Sequence, residues 1–478
     1  MSKFNAPTTI RTVNKSGHVA YAMNDKAKLV TQVLTSFFNE TKFYGDNTEE
    51  MKQTIQRVIK SDPQFVANLA VFARREFNMR SVSHVLTAYL AHEVEGKPYT
   101  RNTVKAVSLR GDDVTEIMAC YLSMFGKPIP NALKKGINDV LQKFDAYTLA
   151  KYKGDGKTVK MRDLLCLCRP TPTNKEQSEM WKRLLEGTLE TPYTWETELS
   201  AKGNNAETWE ALIDSGKVGY MALLRNLRNI ITANPSNVNK VLDLIENPEA
   251  VKKSKQLPFR YLSAYKEIQN IAGSRVYDAL ENAVDAAVEN MPRLEGTTVI
   301  AVDVSGSMGG AIGEKSKVRC YEIAVLLGLM ANRICNNSYF YTFNSEINKV
   351  AVSHRTAILA SAIIAGCGGG TNMSLPFEKM IADNVSADRV IIISDNECNR
   401  GSLYTRRSPV QALADKYRRT TGRDIWVHAI DLLGYGTQQF HGAKTNVIAG
   451  WSEKVLDFIN LAEKGVGNLE KSIEQYTY

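Results

Sequence analysis

Three oxygen-bearing side chains alternate along a short stretch that follows an apolar, β-branched run. They are Asp303, Ser305 and Ser307, and glycines and a long helical pattern follow them. The alternation places three oxygen ligands on one tight loop, so that all of them can turn toward one point. Hard oxygen donors of this kind suit Mg²⁺, which binds few carboxylates and keeps several waters. The stretch therefore predicts a site for Mg²⁺ or another divalent cation.

Two later loops carry oxygen ligands of the same type. Thr371 follows three consecutive glycines, which allow the backbone to approach closely, and Asp395 ends an apolar run at 390–394. We expect the two aspartates to supply charge to one site and the three hydroxyl groups to complete a loose shell. In the alternative interpretation, the aspartates cap helices and the serines fill a turn.

The elements that must position these loops alternate between strand and helix. Short apolar runs closed by turn residues predict buried strands, and helical patterns separate them. The strands are predicted at 297–304, 338–343, 389–394, 425–430 and 445–448. This alternation is typical of a doubly wound, mostly parallel sheet, which binds ligands at the carboxyl ends of its strands.

The chain before this region is predicted to be helical. Apolar residues recur at helical spacing between short turns, without strand signals, and such a succession favours an α-solenoid of stacked helix pairs. Residues 1–20 are polar and are expected to form an irregular arm. The predicted organisation is therefore an arm at 1–20, a solenoid at 21–292 and an α/β domain at 293–478.

Composition limits the classes of protein that this chain can belong to. It has 478 residues, 60 of them basic and 51 acidic, for a net charge of +9. Up to residue 295 there are 41 basic and 34 acidic residues, so most of the excess lies in the helical part. That excess is compatible with a polyanion surface and equally with a merely basic protein. The absence of long apolar runs, of a secretory signal and of paired cysteine motifs predicts a cytoplasmic protein that does not bind membranes.

The three candidate metal loops resemble those of a known family. Val-Asp-Val-Ser-Gly-Ser-Met at 302–308, with the later Gly-Gly-Gly-Thr and Ile-Ile-Ser-Asp segments, is similar to the metal-ion-dependent adhesion site of von Willebrand factor A-type domains. In that family the serines and the threonine contact Mg²⁺ directly or nearly so, the aspartates act partly through water, and a ligand carboxylate completes the shell. The resemblance implies these roles for Asp303, Ser305, Ser307, Thr371 and Asp395.

The helical part resembles a second family over roughly residues 15–290. The segments at 219–230 and 257–261, and Arg-Asp-Leu-Leu at 162–165, are similar to hallmark segments of TROVE-domain proteins. A TROVE region followed by an A-type domain resembles the Ro autoantigen family and its bacterial and phage relatives. The resemblance implies a HEAT-like solenoid closed into a ring, with an A-type domain bridging its ends.

The same resemblance implies RNA partners. Small noncoding Y-like RNAs would bind the basic outer surface, single-stranded 3′ ends of misfolded RNAs would enter the hole, and the protein would act in noncoding-RNA quality control or stability. A nuclease or another protein would offer an acidic residue to the metal site. The family often has His where this chain has Met161, and the Lys-Tyr-Lys at 151–153 matches the family's corresponding segment.

Basic side chains at helical spacing and in the densest basic stretch are the candidate RNA contacts, because lysine and arginine neutralise phosphates. They are Arg74, Arg75, Arg80, His84, Lys105, Arg110, Lys134, Lys135, Lys151, Lys153 and Arg162. For each of them the alternative is an ordinary solvated helix face.

Catalysis is not predicted. The stretch at 305–309 lacks the first glycine of the hydrolase Gly-x-Ser-x-Gly turn, and the glycine-rich loop lacks the Gly-Lys-Ser/Thr of a P-loop. The six histidines show no arrangement that identifies a general base. The remaining alternative to RNA binding is a Mg²⁺-dependent protein-binding scaffold that makes no direct contact with RNA.

Overall fold

The computed structural model describes residues 10–15, 17–36, 49–289, 291–311, 316–399, 408–465 and 468–478. These residues form two compact units. The first unit comprises the described residues of Met1–Phe38 and Lys202–Lys471, and the second those of Asn39–Ala201 and Ser472–Tyr478. Within the described ranges, no helix combines the length and the apolar character that a membrane crossing requires.

The predicted arm contains two short strands, β1 (Arg11–Val13) and β2 (Val19–Ala22), that pair with each other in antiparallel register. A third strand, from the C-terminal part of the chain, pairs with β2. The arm was expected to be irregular, but its described residues contribute two strands to a small sheet. Val19, Ala20 and Tyr21 are buried there. Residues 1–9 of the predicted arm lie outside the described residues.

Helices follow in close succession up to residue 289, as the apolar spacing predicted. They are α1 (Asp25–Leu34), α2 (Glu49–Ser61), α3 (Pro63–Arg75), α4 (Ser81–His92), α5 (Lys97–Val107), α6 (Asp113–Phe125), α7 (Asn131–Leu141), α8 (Ala146–Lys151), α9 (Met161–Cys168), α10 (Lys175–Glu186), α11 (Trp195–Lys202), α12 (Ala206–Asp214), α13 (Tyr220–Arg225), α14 (Leu227–Ala233), α15 (Val238–Glu246), α16 (Pro248–Ser254), α17 (Pro258–Glu267) and α18 (Ser274–Glu289).

Local signals explain where these helices begin. At α3 the Asp62 carboxylate accepts from the Phe65 amide at 3.0 Å, and Pro63 occupies the first turn, where its missing N–H costs nothing. At α8 the Asp145 carboxylate accepts from the Thr148 amide at 2.8 Å in the same way. Every one of these helices except α11 buries apolar residues, and this packing supplies most of the stability of such short helices.

Beyond residue 293 strands and helices alternate. The elements are β3 (Leu294–Asp303), α19 (Cys320–Ile334), β4 (Cys335–Phe343), β5 (Ile347–Val350), α20 (Ile358–Ile364), α21 (Leu375–Ala382), β6 (Arg389–Ser394), α22 (Pro409–Thr421), β7 (Trp426–Asp431), β8 (Thr437–Gln438), β9 (Thr445–Ala449), α23 (Asp457–Glu463) and α24 (Leu469–Glu474).

Six of these strands form one sheet in the order β5-β4-β3-β6-β7-β9, and all neighbours are parallel except the edge pair of β4 and β5. Residues of β3 and β6 are buried on both faces, which explains their continuous apolar runs. The expected fold class, a run of helices followed by a doubly wound A-type domain, is confirmed. The strands β5 and β8 were not predicted. The domain boundary at 292/293 stays a prediction, although α18 ends and β3 begins on either side of it.

Candidate functional site

The loop that leaves β3 is joined by hydrogen bonds to the glycine-rich loop. The Gly306 amide donates to the Gly369 carbonyl at 2.9 Å, and the Gly368 amide donates to the Val304 carbonyl at 2.9 Å. A Cβ atom on Gly306 would lie 3.2 Å from the same Gly369 oxygen, which explains the glycine at this close approach. Two loops separated by more than 60 residues therefore meet at one point.

The loop that leaves β6 joins the same group. The Thr371 amide donates to the Asn399 side-chain oxygen at 2.7 Å, and the Asn399 amide donates to the Thr371 carbonyl at 3.1 Å. β3 and β6 are adjacent and parallel, so their carboxyl ends lie at the same edge of the sheet. The structure thus brings the three predicted loops together. Asn399 has no signal in the sequence beyond its position four residues after Asp395.

The candidate ligand atoms are held close together. The Ser305 and Ser307 hydroxyl oxygens are 3.0 Å apart, and the Ser305 amide donates to Oδ1 of Asp303 at 2.8 Å. Asp303 and Asp395 are fully buried and Thr371 nearly so, whereas Ser307 is exposed. The site is therefore a cluster of oxygens that is open to solvent on the Ser307 side.

Two buried carboxylate oxygens in this cluster lack a partner. Oδ2 of Asp303 and Oδ2 of Asp395 make no hydrogen bond within the described part of the chain. Burial, with the charge of Asp395 beside it, raises the pKa of Asp303 well above its usual range. Burial also raises the pKa of Asp395, against the opposing effect of a hydrogen bond from Ser307. A divalent cation would provide the partner that both oxygens lack, so the donor set fits Mg²⁺.

Hydroxyl oxygens are necessary to such a site. Among the described residues, no group of three or more His, Cys, Asp or Glu side chains is arranged to hold a metal. A third carboxylate, Asp431 at the end of β7, is also fully buried, and burial raises its pKa to about 7. Its Oδ1 accepts from the Leu433 and Gly434 amides, so it also organises the loop after β7.

The N-terminal strand pair reaches this edge of the sheet, which the sequence did not indicate. The Asn14 side-chain amide donates to the Cys398 carbonyl at 2.8 Å. The Lys15 ammonium lies 4.3 Å from the centre of the Tyr435 ring, and its charge acts to lower the pKa of Asp395. The turn at 14–15 is therefore a fourth loop beside the candidate metal ligands.

Four of the predicted RNA contacts lie in the second unit, and three of them surround one buried carboxylate. Asp113 is 3.1 Å from Arg74 Nη2, 2.5 Å from Arg80 Nε and 3.2 Å from His84 Nε2. Arg75, which is half-buried, donates instead to the Ala106 carbonyl at 3.1 Å. Only 8% of the Arg74 side chain and 4% of the His84 side chain are exposed. This geometry does not favour RNA contact by Arg74 and His84, and the assignment stays a prediction.

The buried cluster has a different structural consequence. Oδ2 of Asp113 accepts from the backbone amides of Leu109 and Arg110, both at 2.8 Å. The turn between α5 and α6 is thereby fixed, and it presents Arg110 to solvent with 53% of its side chain exposed. Arg74, Arg80 and His84, which the sequence suggested as RNA contacts, thus hold the carboxylate that fixes the turn, and the turn carries Arg110, another predicted contact.

Three further predicted contacts are exposed near that turn. Lys151, Lys153 and Arg162 are all exposed, and both Lys153 and Arg162 act to lower the pKa of Asp155. Arg110 packs over the Tyr152 ring at 5.7 Å. Lys157, which belongs to the same densely basic stretch of the sequence, is 2.5 Å from Glu116 and 3.8 Å from Asp112 beside the same turn. We call Arg110, Lys151, Lys153, Lys157 and Arg162 the basic surface.

The last three predicted contacts lie on neighbouring helices of the second unit. Lys105 on α5 is exposed and acts to lower the pKa of Asp139 on α7. Lys135 on α7 is exposed and Lys134 is partly buried. Burial raises the pKa of Cys168, and the charge of Lys134 acts to lower it.

The six-stranded sheet and the three loops at its edge define a von Willebrand A-type domain, preceded in the chain by helices. Family models agree with this class. The TROVE domain model matches residues 14–190 and 181–275, and the Ro60 vWA domain model matches residues 297–438. The chain belongs to the TROVE-domain Ro family.

Individual relatives cover parts of the chain. Telomerase protein component 1 of Rattus norvegicus is 24% identical over 339 residues, which are 52% of this chain and 13% of that protein. RNA-binding protein RO60 of Deinococcus radiodurans is 27% identical over 237 residues, 46% of this chain and 43% of that protein. The chain therefore spans less than half the length of both curated relatives in these alignments. The crystal structure of the Deinococcus radiodurans RO (RSR) protein shares the fold, with a TM-score of 0.62, 17% identity, and coverage of 92% of this chain and 100% of that one.

Proposed function

We propose that this protein is the RNA-binding component of a ribonucleoprotein that acts in noncoding-RNA quality control or stability. Its ligands are small structured, Y-like RNAs at the basic surface and single-stranded ends of misfolded RNA in the hole of a helical ring. Membership of the TROVE-domain Ro family supports this proposal, as does the name of the Deinococcus relative, an RNA-binding protein.

The observation that carries the proposal is the exposed basic surface. Between residues 146 and 163 there are five basic and two acidic residues, and the lysine and arginine side chains at 151, 153, 157 and 162 are exposed. Asp155 and Asp163 neutralise part of this charge, and Glu116 and Asp112 pair with Lys157 and Arg110. Ion pairs of exposed side chains contribute little to stability and exchange readily for phosphate. Such a surface neutralises phosphates without reading bases, which suits varied structured RNAs.

A filter-binding series on a small structured RNA tests the proposal. We expect affinity to fall steeply with salt, and the triple substitution of Lys151, Lys153 and Arg162 by Ala to lower the slope of log K against log salt by about two to three. The matched control removes two exposed charges from α22, Lys416→Ala with Arg419→Ala, and should keep the wild-type slope. Salt-independent or absent retention of RNA by the wild type at low ionic strength would refute RNA binding.

We also propose that Asp303, Ser305, Ser307, Thr371 and Asp395 hold Mg²⁺ or another divalent cation. The two unpartnered buried oxygens of Asp303 and Asp395 support this proposal. When bound, the cation would offer an open position to an acidic side chain of a partner, such as a nuclease. The residues of the three loops would hold and orient it, and the proposed role is binding without catalysis.

Thermal unfolding with and without MgCl₂ tests the metal site. At a concentration 100 times the Kd, binding stabilises by about 2.7 kcal/mol, or roughly 5–10 °C for a domain of this size. Without metal the raised pKa of Asp303 means that stability falls as pH rises through it, so Asp303→Asn should raise the metal-free Tm at neutral pH and abolish the Mg²⁺ shift. Asp383→Asn, an exposed carboxylate paired with Lys379, should keep the shift. Equal Mg²⁺ shifts in wild type and Asp303→Asn would contradict the assignment.

The competing function, a Mg²⁺-dependent protein-binding scaffold, makes a different prediction. It retains the Mg²⁺ shift but gives no salt-dependent retention of RNA. The two assays together therefore separate the alternatives. If the triple Ala variant of the basic surface loses RNA binding and keeps the shift of Tm with Mg²⁺, the result favours the RNA-binding function over the scaffold.

A further inference from the structure

Aromatic rings and cations alternate along one part of the second unit. The Lys151 ammonium lies 5.6 Å from the centre of the Tyr147 ring and 5.6 Å from that of Tyr152. The Arg110 guanidinium also lies 5.7 Å from the centre of the Tyr152 ring. Four side chains from α8, the residue after it and the α5–α6 turn therefore form a continuous row, Tyr147, Lys151, Tyr152 and Arg110.

Two sets of contacts hold the Tyr152 and Arg110 end of this row in place. A Cβ atom on Gly111 would lie 2.4 Å from the Tyr152 ring and 2.8 Å from Cγ2 of Thr148, so α8 packs directly on the turn. The Asp113 carboxylate fixes the same turn through the Leu109 and Arg110 amides. This end of the row is therefore preorganised, and binding to it orders few additional bonds.

The end of the row is open to solvent. Tyr147 exposes 48% of its surface, and Lys151 beside it is exposed. Neither side chain supports the packing of α8, whose buried residues are Leu149 and Ala150. The exposed ring is thus available to a ligand that has both a flat face and a negative charge.

A nucleotide has both properties. Every nucleobase offers a π-face that stacks on an aromatic side chain, and the phosphates on either side attract lysine and arginine. A base within a continuous helix is already stacked on its neighbours and does not offer its face. The chemistry of the row therefore selects an unpaired nucleotide over a paired one.

We propose that Tyr147 stacks on an unpaired base of the bound RNA while Lys151 and Arg110 neutralise the adjacent phosphates. This proposal rests on the RNA binding proposed above and adds to it the side chain that contacts an unpaired nucleotide beside the basic surface. The basic surface supplies affinity that depends on salt, and Tyr147 supplies a contact that does not.

Two RNA probes and three variants test the stacking contact. The probes are a blunt RNA hairpin whose loop is a non-nucleotide ethylene glycol linker, so that every nucleotide is paired, and the same hairpin with a three-nucleotide overhang that carries 2-aminopurine, whose fluorescence is quenched on stacking. We expect Tyr147→Ala to weaken binding of the overhang hairpin by about tenfold, the effect of losing one stacked base, and to leave the blunt hairpin unchanged. Tyr147→Phe should bind both as the wild type does, because the ring is retained.

The salt dependence distinguishes the ring from the charge. Tyr147→Ala should keep the wild-type slope of log K against log salt for the overhang hairpin, whereas Lys151→Ala should reduce it by about 0.7. Quenching of 2-aminopurine should be lost in Tyr147→Ala. Thermal unfolding of each variant should match that of the wild type, because both side chains are exposed.

Failure of this proposal is separable from failure of RNA binding. If the wild type binds both hairpins with a steep salt dependence and Tyr147→Ala changes neither affinity nor quenching, the stacking contact is refuted and RNA binding stands. If Tyr147→Ala weakens both hairpins equally, the ring does not select an unpaired base, and the proposal is again refuted. If the wild type binds neither hairpin, the RNA proposal itself fails and the stacking contact with it.

Discussion

Asp113→Asn is the substitution that best tests the role of the buried cations in the second unit. The Asp113 carboxylate is inaccessible to solvent and faces Arg74 at 3.1 Å and Arg80 at 2.5 Å. Burial acts to raise its pKa, but the hydrogen bond and charge of His84 and the charges of the two arginines hold the pKa well below its usual range. Burial lowers the pKa of His84, so near pH 7 we take the histidine as neutral and the arginines as the charged partners.

The size of the effect follows from what the substitution leaves behind. An amide in place of the carboxylate leaves Arg74 buried without a counter-charge, and breaking a buried pair in this way costs about 3–5 kcal/mol. For a unit of this size the Tm should fall by roughly 10 °C. Because the pKa of Asp113 is depressed, its stabilisation is fully present above the pKa of the unfolded chain and is lost only under strongly acidic conditions. The difference between wild type and Asp113→Asn should therefore be constant between about pH 7 and 9.

Thermal unfolding combined with RNA binding decides between a supporting role and a direct contact for Arg74. Arg74→Met keeps the apolar stem and removes the charge, so it should lower Tm by several degrees. Where the variant remains folded, it should keep the wild-type salt slope for RNA, whereas Lys151→Ala should show the opposite pair of effects. An Arg74→Met protein with unchanged Tm and a reduced salt slope would refute the structural role and support the RNA contact expected from the sequence.

Two predictions concern the first unit. Burial acts to raise the pKa of Glu463, but hydrogen bonds from His428 and Arg389 hold that pKa at about 2, against 4.5 ordinarily. The free energy of unfolding should therefore fall by about 3 kcal/mol as pH falls from about 4.5 to 2. A pH series of urea unfolding on Glu463→Gln should lack that dependence. The Glu281 carboxylate on α18 accepts hydrogen bonds from the first three backbone amides of α20 at 2.8, 3.1 and 2.9 Å. Glu281→Ala should therefore lower the free energy of unfolding by about 1–3 kcal/mol. A Tm equal to that of the wild type would show that these bonds contribute nothing.

The candidate metal loops could be predicted because each has its signal within a few residues. An apolar run followed by Asp303, or by Ser394 and Asp395, indicates both the strand and the ligand, and parallel strands bring such ends to one edge. Their supporting partner Asn399 and the turn at Asn14 could not be predicted, because their contacts depend on tertiary structure. Strands as short as β1 and β8 show no periodicity from which to recognise them.

The buried cation cluster shows where sequence reasoning fails. The short separation of Arg74, Arg80 and His84 in the sequence suggests that they lie near one another, but Arg74 is on α3 and His84 on α4, and the spacing does not say which face of each helix is buried. The partner that decides this, Asp113, lies 33 residues beyond Arg80 on another helix. A cluster of basic residues in a sequence can form an exposed surface that binds a ligand, or it can surround a buried carboxylate from another helix. Only the three-dimensional structure distinguishes the two cases.

The pairing of β2 with β8 has a consequence for biosynthesis. Ala22 faces Thr437, so about 415 residues are translated between the two partners. At roughly 5–20 residues per second this interval is about 20–80 s, during which one edge of the β1–β2 pair has no partner strand. An unpaired edge can associate with other chains. The ribosome therefore synthesises most of the chain before this small sheet can be completed. A chaperone that covers the nascent N-terminal strands would raise the yield of folded protein.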